Sequence, residues 1–216
     1  MNSLLRFFRG GSATAQEQPI QGVDAATRRS SGLGELTRLL KGADGLAILD
    51  LGPTSPANIT HFTELGHRVY NEDVLLASQN PEYKVKNENT GSGFDVDRFF
   101  KENLVFHNVK FDAVLCWDIP DYLAEPLVKP MVERIASVMN PKGYLLAFFH
   151  TKDAGPDAPY YRYHISGADN LRLQRGPQFR LQRVFNNRHI ENLFRDYASL
   201  KFFLARDNVR EVLVVR

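Results

Sequence analysis

Four carboxylates and one imidazole stand where an apolar run of the sequence gives out. Asp50 follows Leu46-Ala47-Ile48-Leu49 and precedes Gly52 by two residues, and Glu72 and Asp73 come just after the run 67–70. Asp118 follows the apolar run 111–117, which ends in Trp117, and His150 follows the run 144–149. A carboxylate only accepts hydrogen bonds, so an acid at a strand end suits ligand hydroxyl or ammonium groups. A glycine there lets backbone approach a ligand closely. An imidazole titrates near neutral pH, so His150 reads either as a general base or as a hydrogen-bonded structural group. The six histidines show no metal-ligand spacing and no His-Glu-x-x-His, so no metal is expected.

These residues need elements to hold them, and the pattern supplies strands alternating with helices. Leu33, Leu36, Leu39 and Leu40 predict a first helix at 32–42, and a strand follows at 46–50. Ser55 as N-cap and Pro56 at the first helical position predict a second helix, with Ile59, Phe62 and Leu65 as its buried stripe and Gly66 as its end. With a strand at 67–70 this is a strand–helix–strand unit of the length a parallel crossover needs. Residues 80–93 are expected to form a surface loop, and 95–103 a short helix. A doubly buried strand at 111–117, a helix at 124–139, a turn at 140–143 and a strand at 144–149 form a second unit. Beyond it, alternation on both sides of Arg175-Gly176-Pro177-Gln178 predicts a hairpin, then a helix at 187–197 and an antiparallel pair at 200–205 and 209–215.

Composition narrows the classes. With 216 residues, 43% of them hydrophobic, the chain can fill one core. No apolar run reaches the roughly 18–20 residues of a membrane span, so no membrane partner is expected. Cys116, the single cysteine, excludes an internal disulfide, reads as a buried inert thiol and fits a reducing, cytoplasmic setting. Residues 1–31 read as a flexible tail: 1–16 lack acids, loosely like a transit peptide, but Gly10-Gly11 stops any helix, and 10–32 read as a linker. The formal charge of +2 implies no polyanion. Arg162, Arg172, Arg175, Arg180, Arg183, Arg188 and Arg195 make the C-terminal third basic, either as a solvated face or as a surface for an anionic substrate or RNA backbone. No stacking-aromatic pattern accompanies them, so no nucleic-acid partner is expected.

Four stretches in this order resemble the class I S-adenosylmethionine-dependent methyltransferases: 48–52 (ILDLG), 66–73 (GHRVYNED), 111–118 (FDAVLCWD) and 140–146 (NPKGYLL). The resemblance spans about 32–216, taken as one domain. It implies an α/β fold, Rossmann-like and doubly wound, with a mostly parallel seven-stranded sheet, a C-terminal antiparallel pair and an added hairpin. It further implies S-adenosylmethionine as cofactor and a small-molecule methyl acceptor. Asp50 would orient the loop or the methionine ammonium, Gly52 would admit the cofactor, and Asp73, or Glu72 one residue earlier, would hold the ribose hydroxyls. Trp117 and Asp118 would contact the cofactor, and Asp118 would face the methyl group or the substrate, with Asp118 and His150 the catalytic candidates. Thr54 and Pro56 replace loop glycines and narrow the path of the methionine portion, with Thr54 among the residues that would contact the cofactor. Asp118-Ile119-Pro120-Asp121-Tyr122 approximates the Asp-Pro-Pro-Tyr motif of nucleobase amino-methylating enzymes, but Asp121 stands where that motif needs its aromatic ring. Tyr160, Tyr161 and Tyr163 either line a substrate pocket or pack on the hairpin. A non-catalytic binding protein on the same fold and a nucleic-acid methyltransferase are the alternatives.

Overall fold

A strand that is apolar at every position needs cover on both faces, because successive side chains point opposite ways. The structure is a computed structural model describing residues 26–86, 93–151, 154–155, 158–204 and 207–216. β1 (Ala26–Arg29) leads into α1 (Ser31–Leu40), and β2 (Ala47–Asp50) into α2 (Pro56–Glu64) and β3 (Arg68–Asn71). After α3 (Val74–Ala77) come a 3-10 turn at Pro81–Tyr83, β4 (Lys84–Val85), β5 (Gly93–Phe94) and α4 (Val96–Glu102). The second unit is β6 (Phe111–Trp117), α5 (Ile119–Tyr122), α6 (Glu125–Val138) and β7 (Met139–His150). The chain continues through β8 (Tyr161–Gly167), β9 (Asn170–Arg175), α7 (Asn187–Leu193), β10 (Ser199–Phe203) and β11 (Val209–Val215).

The central sheet runs β3-β2-β6-β7-β11-β10, six strands among the described residues where seven are expected. β3, β2, β6 and β7 are parallel, and β11 is antiparallel to both β7 and β10. Ile48, Leu115 and Leu146 share one core with Leu33, Leu36 and Phe62 of the α1–α2 layer. Leu49, Val114 and Leu145 share the other with Leu127, Met131 and Ile135 of α6. A second sheet, β1-β9-β8, lies over the α1–α2 side, where Tyr163, Ile165 and Leu171 join the first of these cores.

Local signals set most boundaries. Ser55 Oγ accepts from Asn58 N at 3.2 Å, which caps α2 where Pro56 has no N–H to lose. Gly66 closes the same helix at φ +82°, a conformation a side chain disfavours.

Several expectations need correction. The residues at 26–29, read as linker, are strand β1, paired with β9 from Ala26↔Leu173 to Arg29↔Asn170, while 1–25 lie outside the described residues. The hairpin is β8–β9, with Arg162↔Gln174 and Tyr163↔Leu173 in register and its turn at 168–169. Residues 179–182 form no strand, because the backbone N–H groups of Gln182 and Arg183 are drawn to the Asp121 carbonyl, at 2.8 and 3.2 Å. The turn at 140–143 lies inside the continuous β7, with a register irregularity against β6 and Lys142 at φ +65°. Of the loop 80–93, the ends form the turn at 81–83 and the β4–β5 ladder, and 87–92 lie outside the described residues.

The stripe of α2 is also different. Ile59 and Leu65 are exposed, and the buried pair is Asn58 and Phe62. Asn58 Nδ2 donates to Asp50 Oδ2 at 2.8 Å and to the Tyr163 carbonyl at 3.1 Å, and its Oδ1 accepts from Ile165 N at 2.7 Å. One amide thus ties β2, α2 and β8 together. Asn58→Ala is expected to cost roughly 2–4 kcal/mol, since it strands buried groups on both neighbours. Ile59→Ala, at an exposed position of the same helix, should cost under about 1 kcal/mol. Urea unfolding of the two variants checks the contrast.

Candidate functional site

The chain leaves β2, crosses through α2 to β3 at the sheet edge, then returns to β6 on the other side of β2. Strand order therefore reverses between β2 and β6, and ligands of open parallel sheets bind beyond the C-terminal strand ends at such a point. Asp50, Gly52, Trp117 and Asp118 meet there.

Asp50 is the hub. Its Oδ1 accepts from Gly52 N at 3.0 Å and Trp117 Nε1 at 2.7 Å, and its Oδ2 from Asn58 Nδ2. Burial raises its pKa, opposed by these three donors. Trp117 holds φ +49°, in the left-handed region that a bulky residue rarely adopts. Its ring stacks on Tyr163 with centroids 5.2 Å apart and meets Phe148 edge-on at 5.5 Å. The loop after Asp50 is fixed by Asn71, whose Nδ2 donates to the carbonyls of Asp50 at 3.0 Å and Gly52 at 2.8 Å. Thr54 Oγ1 in turn bonds Asn71 Oδ1.

At the end of β3 the two acids have separate attachments. Glu72 Oε1 accepts from Leu104 N at 2.6 Å, and Asp73 Oδ1 caps α3 by accepting from Leu76 N at 2.9 Å. Burial raises both pKa values, with Arg134 near Glu72 and Arg162 near Asp73 pulling the other way. Among the described residues Asp73 Oδ2 has no hydrogen bond, whereas Glu72 serves as a brace between β3 and residue 104.

Beyond β6 and β7 lies a second cluster. Asp118 Oδ2 accepts from the Tyr163 hydroxyl at 2.8 Å, and its buried Oδ1 has no hydrogen-bond partner among the described residues. Asp121 Oδ2 accepts from both the backbone N and the ring Nδ1 of His150, at 2.6 and 2.9 Å. That pairing puts the proton of a neutral imidazole on Nδ1 and leaves Nε2 as the acceptor. Burial alone would lower the pKa of His150, but Asp121 and Asp118 raise it above the ordinary value. Burial pushes Asp118 up to about 7, against the pull of His150 and Tyr163. Cys116, buried beside them, has its thiol pushed well above the usual range by burial, which makes it inert.

The structure thus joins Asp50, Gly52 and Trp117 directly, links Asp118 to them through Tyr163, sets His150 beside Asp118, and places Glu72 and Asp73 at the neighbouring strand end. Tyr163 packs under the second sheet against Trp117, while Tyr160 meets Tyr122 and Phe179 edge-on, at 5.2 and 5.0 Å. Arg183 pairs with Glu125 at 2.7 Å. Among the described residues no group of three or more His, Cys, Asp or Glu could hold a metal ion, and no helix is long and apolar enough to cross a membrane. Sequence reasoning missed Asn58, Asn71 and Asp121 as site residues. The only available signal for Asp121 was its spacing of three from Asp118 at the start of a short helix.

A raised acid means the native state binds more protons than the unfolded chain. The Asp118 contribution is therefore present below its ordinary pKa of about 3.9 and lost as pH rises towards about 7. Between about pH 4.5 and pH 7.5, wild type should lose roughly 2–4 kcal/mol more stability than Asp118→Asn, which cannot ionise. Urea midpoints at the two pH values decide this.

Comparison with known proteins places relatives only at a distance. No family model matches the chain, and no curated protein matches it. Among solved structures it is similar to 1,6-didemethyltoxoflavin-N1-methyltransferase from Burkholderia thailandensis, at 14% identity over 87% of this chain and 79% of that one, with a TM-score of 0.49. It is similar to magnesium protoporphyrin IX methyltransferase from Synechocystis PCC 6803 at 15% identity, 85% and 81% coverage and a TM-score of 0.49. A third is the N-methyltransferase NodS from Bradyrhizobium japonicum WM9, at 12% identity, 85% and 93% coverage and a TM-score of 0.45.

Proposed function

We propose that this protein binds S-adenosylmethionine across the C-terminal ends of β2 and β3 and directs its methyl group to a small-molecule acceptor. The observation that carries the reading is the Asp121–His150 pair, a buried, oriented base at the C-terminal end of β7, next to Asp118 at the end of β6. Three of the four sequence stretches that resemble the methyltransferases reach the C-terminal ends of β2, β3 and β6, whereas 140–146 begins β7 at the opposite end of the sheet.

The residues fit the cofactor unevenly. At β3 the fit is good: Asp73 keeps one carboxylate oxygen free for ribose hydroxyls while the other caps α3. At β2 the fit depends on Trp117, whose indole stands against Gly52 and uses Asp50 Oδ1. S-adenosylmethionine supplies, when bound, an electrophilic methyl group. The chain's own part is to hold the acceptor and move its proton. His150 Nε2 takes that proton, Asp121 fixes the ring and stabilises the imidazolium, and Asp118 and Tyr163 bound the site on the other side. Much of the rate gain then comes from holding the partners in attack geometry. A cytoplasmic setting belongs to the same proposal.

A second reading, a non-catalytic ligand-binding protein, is favoured by one observation: Gly52 N, Trp117 Nε1 and Asn58 Nδ2 already engage both oxygens of the Asp50 carboxylate. Calorimetric titration with S-adenosylmethionine and S-adenosylhomocysteine tests the first reading. Binding on the order of 10–100 µM, about −5.5 to −7 kcal/mol, is expected, and no heat from either ligand refutes it. Asp73→Asn keeps the helix cap and removes the charge, so it should weaken binding by about 1.5–3 kcal/mol without changing stability by more than about 0.5 kcal/mol. The base has its own check that needs no substrate. Asp121→Asn removes the carboxylate that raises His150, so the ring pKa read by NMR should fall, whereas an unchanged titration would remove Asp121 from its role.

A further inference from the structure

The crevice between β2 and β6 is filled by the chain itself. A Cβ built on Gly52 would meet Trp117 Cδ1 at 2.9 Å and Trp117 Nε1 at 3.1 Å, so the indole lies directly on the glycine's bare face. The ring is held there from three sides: by the bond from Nε1 to Asp50, by the Tyr163 stack with planes only 10° apart, and by Phe148. Trp117 is 3% exposed. It reaches this position through a left-handed backbone conformation next to a register irregularity between β6 and β7 at Leu115/Trp117. Such strained backbone persists only where surrounding contacts over-determine it, and it concentrates at ligand sites and switches.

We propose that Trp117 is the residue that sets donor affinity. Its indole occupies the slot over Gly52 and Asp50 in competition with the charged aminocarboxypropyl arm of the donor, and must leave that slot for the arm to enter. The proposal rests on the cofactor reading above and specifies which end of the ligand the protein resists. The nucleoside end, directed to Asp73 at the start of α3 just beyond β3, faces no such competitor. The indole donates one hydrogen bond to Asp50 Oδ1 and covers the glycine, which are the two things an ammonium-bearing arm would do there. Occupancy by either excludes the other, and a resident competitor lowers apparent affinity by the fraction of time it holds the site.

Trp117 is the sole tryptophan, so the intrinsic emission of the unmodified protein reports its position. Wild type, Trp117→Ala and Trp117→Phe are titrated with S-adenosylmethionine and, separately, with adenosine, which lacks the arm. Trp117→Phe keeps a ring but gives up the bond to Asp50. The proposal expects saturating S-adenosylmethionine to red-shift wild-type emission while adenosine leaves it unchanged. It also expects at least about tenfold tighter S-adenosylmethionine binding in Trp117→Ala, an intermediate gain in Trp117→Phe, and a change under about threefold for adenosine in both. Binding of S-adenosylmethionine to wild type without an emission change, or without a gain in either variant, overturns the role of Trp117 and leaves the cofactor reading standing. An equal gain for adenosine also overturns it, because the indole would then be blocking the nucleoside end. No binding of either ligand to any of the three proteins overturns both readings together.

Discussion

The Asp50 carboxylate is the interaction on which the rest of the site depends. Sunk at the end of a doubly buried strand, it carries a desolvation cost that only donors can offset. It takes one from its own loop, one from α2 and one from β6. Each fixes something further out. Gly52 N sets the loop, Trp117 Nε1 sets the floor of the crevice, and Asn58 passes the constraint to β8 and so to the whole second sheet. Moving this carboxylate would release three elements at once.

The second cluster follows the opposite logic. Asp118, Asp121 and His150 are buried close enough to shift one another, yet Asp118 Oδ1 and Asp121 Oδ1 have no partner. Buried acceptors left unpaired are costly, and native proteins keep few of them. Around Asp50 the polar groups are closed on one another. Around Asp118 they are not, and that contrast separates an open polar cluster at β6–β7 from a closed one at β2.

Much of this was legible in the sequence where local rules suffice. Ser55-Pro56 starts α2, Gly66 ends it, and the unbroken apolar run 111–117 is a strand covered on both faces. Failures came where a long-range partner overrode local pattern. Alternation at 179–182 looked like a strand, but the Asp121 carbonyl captured its backbone donors. Asn58 drew no reading from the sequence, because nothing in its neighbourhood announces that Asp50, Tyr163 and Ile165 converge on it. The acids at strand ends could be named from spacing, but which oxygens remain free could not, since that depends on Leu76, Leu104 and Trp117.

The N-terminal strand has a consequence for how the molecule is made. Arg28 bonds Asp207, 179 residues further along, and pairs with Glu211, whose Oε2 also accepts from Ser30 and Gly32. Glu211 lies on β11, which inserts between β7 and β10. During synthesis β1 can pair once β9 has emerged, but Arg28 waits for Asp207 and Glu211, and β7 keeps an open edge until β11 arrives. Contacts of such sequence separation slow folding, and unpaired edges invite wrong partners. Residues 207–215 thus both seal the open edge of β7 and bring the two carboxylates that pair with Arg28.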